Sequence, residues 1–279
     1  MLNFFLRYLH ALEGIYSLLL LLFVGGQRIS QGSVSSWMQF GGTILEGSLN
    51  SARRENGFSY GGGNQRVTEG IWLWSKPFII PDPSTAGGKL CVLLMDTQGM
   101  WDGQTGQGLT TSIFGLSTLL SSYQIYNVQN RLQEDQLQHL AMFSEYSLKI
   151  SEVKKWKEKA PFRHIDFLVR DFSAFSNEED VESCLEEMKT YKREFLAPRD
   201  ADDLNETRNK IRKCFEEIDV FCLPHPNREV TTLSFSGVID SIYHPFLALL
   251  GYYVDHLFRN WIQPMEVNNR IVYAKDFES

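Results

Sequence analysis

Two acids stand where an apolar run stops, in VLLMDTQG (92–99) and FLVRDFS (167–173). A carboxylate carried to the rim of a sheet by a buried strand can hold Mg²⁺ through a water. A glycine three residues later can turn its backbone N–H toward a terminal phosphate with no side chain in the way. Asp96 and Gly99 have that spacing, with Gln98 between them. This chemistry belongs to a nucleoside triphosphatase, and the plain alternative is an Asx turn at a strand end. Thr68, 28 residues upstream in RVTEGIWLW, is a loop threonine that can close on the same ion when a γ-phosphate is present. Arg170-Asp171 ends the next internal strand. A carboxylate there can accept hydrogen bonds from N1–H and N2–H of guanine, donors that adenine lacks, and a buried acid left unpaired would penalise the wrong base. The plain alternative for Asp171 is a strand-end cap.

The elements that must position these residues follow from the hydrophobic pattern. GIWLWSKPFII (70–80) and KLCVLLMD (89–96), joined by the turn residues PDPSTAGG, read as a hairpin. TTSIFGLSTLLSS has helical spacing, YQIYNV is a β-branched and aromatic strand, and 133–159 is the longest helical pattern. HIDFLVRDFS is a strand, NEEDVESCLEEMKTYKREFL and DLNETRNKIRKCFEEI are amphipathic helices, and DVFCLPHP is a third apolar strand broken at Pro224. Alternating strands and helices predict an α/β domain with a mostly parallel central sheet, whose ligands sit beyond the carboxyl ends of the strands. Asp96, Asp171 and the Pro224 to Pro226 turn should converge on that edge.

A chain of 279 residues with 43% apolar and 22% charged residues is long enough for a large core. Its net charge of −7 argues against nucleic acid as a partner, because that affinity rests on clustered Lys and Arg. Four cysteines without a C-x-x-C pair suit reduced, buried thiols rather than a metal centre. The apolar run in GIYSLLLLLFVGG (14–26) is too short to span a bilayer. It reads as a buried helix or an insertion, with a secretory targeting segment and a membrane anchor as the other readings. YHPFLALLGYYVDHLF, interrupted by Pro245 and Gly251, reads as a packed core helix.

GFSYGGGNQRVTEGIWLW, VLLMDTQG, LSTLLSSYQIYNVQNRLQEDQLQHLAMFSEY, FLVRDFS and CFEEIDVFCLPHP together resemble the guanine-nucleotide domain of atlastins, GTPases of the dynamin superfamily, and more distantly guanylate-binding proteins. The resemblance implies a P-loop-NTPase-like G domain that hydrolyses GTP to GDP with Mg²⁺. It implies that Thr68 and Asp96 are the metal residues and that Gln98 and Gly99 belong to the second switch. Arg170 and Asp171 would then recognise guanine, with Val230 lining the base pocket after Pro224 and His225. It further implies a homodimer through the G domain and a place on the cytoplasmic face of the endoplasmic reticulum, in membrane fusion. The membrane would be reached only through segments outside this chain. By the same resemblance, 1–36 is a remnant of the first helix plus the apolar insertion, 37–262 is the G domain, and 263–279 begins a linker to a helical bundle.

Three positions depart from the family pattern. Tyr60-Gly61-Gly62 lacks the loop arginine, Leu233 replaces an asparagine that touches the base, and Glu69 stands where relatives have threonine or lysine. The phosphate loop G-x-x-x-x-G-K-[ST] is not found, and MLNFFLRYL resembles the helix that follows it. The first strand is accordingly expected to be missing, with GTP binding weakened. A truncated version of a GTPase and a non-catalytic module that pairs with full-length partners are the two readings of that departure.

Overall fold

A computed structural model describes residues 18–26, 70–73, 78–82, 88–98, 106–151, 160–230, 241–267 and 270–273, with no side-chain account for 18–26, Gln107, 146–151 and Val267. Its centre is a seven-stranded sheet in the order β2-β4-β1-β5-β6-β7, with β3 also paired to β4. The strands are β1 (Leu18–Gly26), β2 (Ile71–Leu73), β3 (Phe78–Pro81), β4 (Lys89–Thr97), β5 (Tyr123–Gln129), β6 (Phe162–Arg170) and β7 (Phe215–Cys222). After Lys89 every residue of β4 is buried. Such a strand is covered on both faces, so it reads as continuous apolar sequence rather than alternation. β5 and β6 are also buried along almost their whole length, although each carries polar residues.

The expected hairpin is present, because β2 and β3 both pair antiparallel with β4. Strands β5, β6 and β7 pair in parallel. β1 is antiparallel to both β4 and β5, so β4 points the same way as the parallel strands. Four strands therefore share one carboxyl edge, as the α/β reading requires.

Two expectations are corrected. The apolar run is not a buried helix over 18–26; it is the strand β1, seated between β4 and β5. A short run of uniformly apolar residues carries no period that separates the two, and here both neighbouring strands offer unpaired backbone. The strand after the second amphipathic helix begins at Phe215, not Asp219, so Phe215 to Ile218 belong to β7. The tail also holds a small antiparallel pair, β8 (Glu266–Val267) with β9 (Arg270–Ile271).

Helices α1 (Gln107–Leu120), α2 (Glu134–Ser151), α3 (Val181–Leu196), α4 (Asp202–Cys214) and α5 (His244–His256) flank the sheet. α1 packs on α2 and α2 on α4, while α3 packs on α5. α3 starts where Asp180 accepts a hydrogen bond from the N–H of Ser183, at 3.1 Å, and it buries Cys184, Met188 and Phe195 along one stripe. In α5 the proline expected to interrupt the helix instead sits in its first turn, where a missing N–H does no harm. α5 continues into a π-helical turn, Leu257–Trp261. Among the described residues no helix is long and apolar enough to cross a membrane. All four cysteines are buried and free, as their spacing suggested.

Candidate functional site

The carboxyl edge gathers the ends of β4, β5, β6 and β7. At the end of β4, Asp96 is buried at 4% exposure and flanked in register by Trp72 of β2 and Leu19 of β1. Gln98, two residues on, is also buried and ties this turn to the chain entering β2. Its N–H donates to the carbonyl of Gly70 at 2.8 Å, and its Oε1 accepts from the N–H of Gly70 at 2.9 Å. Gly70 has a φ of 72°, in the left-handed region where a side chain would be strained. That conformation turns both of its backbone groups toward Gln98. Thr68 and Gly99 lie outside the described residues, as do Leu233, Glu69 and the Tyr60-Gly61-Gly62 loop.

At the end of β6 the two candidate residues do different things. The guanidinium of Arg170 is buried, and its Nε donates to Asn127 Oδ1 of β5 at 2.8 Å. Asp171 is half-buried and takes a φ of 56°, a conformation that aspartate tolerates better than most residues. Its Oδ2 accepts from Gln129 Nε2 at 2.9 Å, and the carbonyl of Arg170 accepts from the N–H of Asn130 at 2.7 Å. Arg170 thus anchors the turn to β5, while Asp171 presents its carboxylate above the edge.

The segment after β7 lies alongside. The N–H of Phe172 donates to the carbonyl of Leu223 at 2.9 Å, and that of Leu223 to the carbonyl of Val169 at 2.8 Å, which extends the pairing beyond both strands. Pro224 and Val230 are buried and His225 is exposed, with its Nδ1 accepting from the N–H of Asn227 at 3.1 Å. The carbonyl of Pro226 accepts from the N–H of Tyr243 at the head of α5. Asp171 and the 224–230 turn are therefore brought together by direct backbone pairing.

Asp96 stands apart from that group. Through Leu19 it is level with Ile125 of β5 and hence with Asp166 of β6, whereas Asp171 comes five residues after Asp166. Three strand spacings and five residues of rise put the two acids on the order of 20 Å apart. Only an extended ligand can touch both.

β1 bears on the Asp96 end of that edge. A strand running with β4 and β5 would deliver its carboxyl end to this edge, and with it a loop and a helix N-terminus suited to phosphate. β1 runs the other way, so its first residues, Leu18 and Leu19, stand beside Asp96 and Tyr126 rows at this edge and Gly26 lies opposite Lys89 at the other.

Sequence reasoning missed the residues that hold the site. Asn127 and Gln129 are separated by two in β5, the period of one strand face, and that spacing was the available signal. It had no meaning until β5 was known to lie beside β6.

Residues 2–263 match the family model of the guanylate-binding protein N-terminal domain. The chain is 40% identical to atlastin-1 of Bos taurus over 195 residues, covering 68% of this chain and 33% of the relative. It is 35% identical to atlastin of Drosophila melanogaster over 223 residues, 79% of this chain and 40% of the relative. It is 38% identical to atlastin-2 of Xenopus laevis over 178 residues, 63% and 30% respectively. The chain thus spans between 30% and 40% of the length of these relatives.

Proposed function

The chain belongs to the guanylate-binding protein N-terminal domain family as an atlastin-type GTPase domain, and from that premise we propose that it selects guanine nucleotides through Asp171. The observation that carries the proposal is the Asp171 carboxylate, raised above the edge in a left-handed turn that Gln129 of β5 and Arg170 at the end of β6 hold and the Pro224–Val230 segment flanks. One carboxylate with two oxygens suits the paired N–H donors of guanine, and Val230 and Pro224 give the base an apolar wall.

The anionic tail of the ligand then extends toward Asp96. A carboxylate at the end of β4 suits Mg²⁺, which keeps several waters and shares the rest of its shell with phosphate oxygens. Asp96 and Thr68 would hold that ion, which when bound neutralises charge on the phosphates. Gln98 keeps the turn carrying Asp96 locked to Gly70, so the segment entering β2 and the segment leaving β4 move as one. Gly99 would offer its N–H to the terminal phosphate. Within a longer chain this domain would act in nucleotide-dependent pairing of two G domains at the endoplasmic reticulum membrane.

A second reading draws on the direction of β1, whose carboxyl end, Gly26, lies opposite Lys89 at the far edge of the sheet. On that reading the domain is a non-catalytic module that pairs with longer relatives. Titration with a fluorescent GTP analogue, followed by phosphate-release assays, separates the two. Guanine-selective binding with turnover supports the GTPase, and binding without turnover supports the module. Equal affinity for ATP would overturn the base-recognition proposal in both forms.

A further inference from the structure

Away from the carboxyl edge, near the amino ends of β6 and β7, three ionisable side chains converge. His164 Nδ1 lies 3.0 Å from Glu217 Oε2, and its Nε2 lies 3.3 Å from Asp219 Oδ2. The His164 side chain is 3% exposed, and its Nε2 makes no hydrogen bond. Tyr123 stacks on the imidazole with ring centroids 4.2 Å apart, and Lys192 Nζ from α3 pairs with the other carboxylate oxygen, Asp219 Oδ1.

A neutral imidazole has one N–H and one lone pair. With Nδ1–H donated to Glu217, the nearer acid, the lone pair of Nε2 faces an oxygen of Asp219 with no proton between them. A second proton would relieve that repulsion. A cation relieves it equally well. Ligand atoms at about 2.0–2.1 Å from a tetrahedral zinc ion stand about 3.3–3.4 Å from each other. His164 Nε2 and Asp219 Oδ2 already have that separation.

We propose that His164 Nε2 and Asp219 Oδ2 form a binding site for a zinc-class divalent cation, with Glu217 fixing the imidazole tautomer through Nδ1–H. The three residues offer ligand atoms that all lie within 4.8 Å of one another. One nitrogen with carboxylate oxygens selects zinc and its neighbours over Mg²⁺ or Ca²⁺, which take oxygen alone. The side chains of Glu217 and Asp219 are 58% and 28% exposed, so an ion can enter from solvent and keep water ligands. The carboxylate behind the histidine repeats the arrangement that orients metal-bound imidazoles generally. Lys192 opposes the ion's charge from the far oxygen of Asp219, which limits affinity without blocking the ligand atom.

Zinc titration of the full chain against a chromophoric chelator tests the site. One Zn²⁺ per chain is expected, with affinity lost by at least about tenfold in His164→Gln and Asp219→Asn and by about 10–100-fold in Glu217→Gln. Lys192→Met, a change on a part-exposed helix face that leaves the fold intact, should tighten binding. No saturable binding up to millimolar zinc, or affinity unchanged in Asp219→Asn, would overturn the proposal. If Asp219→Asn does not fold, unchanged or weaker affinity in Lys192→Met overturns it instead.

Discussion

At Arg208 a single residue joins three elements. Its guanidinium is fully buried, with Nε donating to the carbonyl of Phe195, Nη1 to the carbonyl of Leu204 at 3.0 Å, and both terminal nitrogens to the Glu134 carboxylate. Taking the charge from Glu134 leaves an enclosed cation with neutral acceptors only. Glu134→Gln should therefore cost about 1–3 kcal/mol, toward the low end because Glu134 is itself part-exposed. Urea unfolding measures this directly, and an unchanged midpoint would contradict the pairing. The cysteines give a second residue-scale outcome. Burial pushes the thiols of Cys91, Cys184 and Cys214 up to about 11 and that of Cys222 further. Because the thiolate is the reactive form, all four should resist alkylation at pH 8 in the folded chain and react at once in denaturant. Asp96 and Asp171 were legible in the sequence because a strand-ending acid interrupts an apolar run. Arg208, His164 and Asp219 were not, since each depends on a partner brought near only by packing.

β1 is the element whose character the sequence concealed. Leu18 to Val24 is apolar throughout, and such a run serves equally as a helix inside a bundle or a strand inside a sheet. The sheet decides, because β4 and β5 can each pair with it along their inner edges. A proline in the middle of a doubly paired strand removes a ladder hydrogen bond and its ring fits poorly there. Leu20→Pro, at a position opposite both Met95 and Gln124, should destabilise the domain by about 3 kcal/mol or more. Hydrogen exchange should report it as lost protection over 91–95 and 123–126, and unaltered protection there would show that β1 contributes nothing to the sheet. The early start of β7 was hidden for a related reason. β7 is an edge strand, so Glu216 and Glu217 can point outward and mimic the charge pattern of a helix continuing from α4. By contrast, β4 was plain in the sequence, since a strand covered on both faces tolerates a long apolar run.

For the whole molecule, the fold class was readable because strand and helix patterns alternate, and the shared edge followed from their parallel direction. What the sequence could not supply was the stagger that separates Asp96 from Asp171, which depends on register across β1 and β5. On the proposed function, that separation puts base recognition and phosphate handling at two ends of one edge, so each could be lost without the other. Asparagine at 171 would offer an N–H where aspartate accepts, and xanthine has a carbonyl where guanine has its amino group. The decisive measurement is the affinity of the wild-type chain and of Asp171→Asn for GDP and for its xanthine counterpart. The account predicts that wild type prefers GDP and that the variant loses it by roughly ten- to a hundredfold while gaining the xanthine nucleotide, the worth of charged hydrogen bonds. A preference that Asp171→Asn leaves unchanged would contradict it.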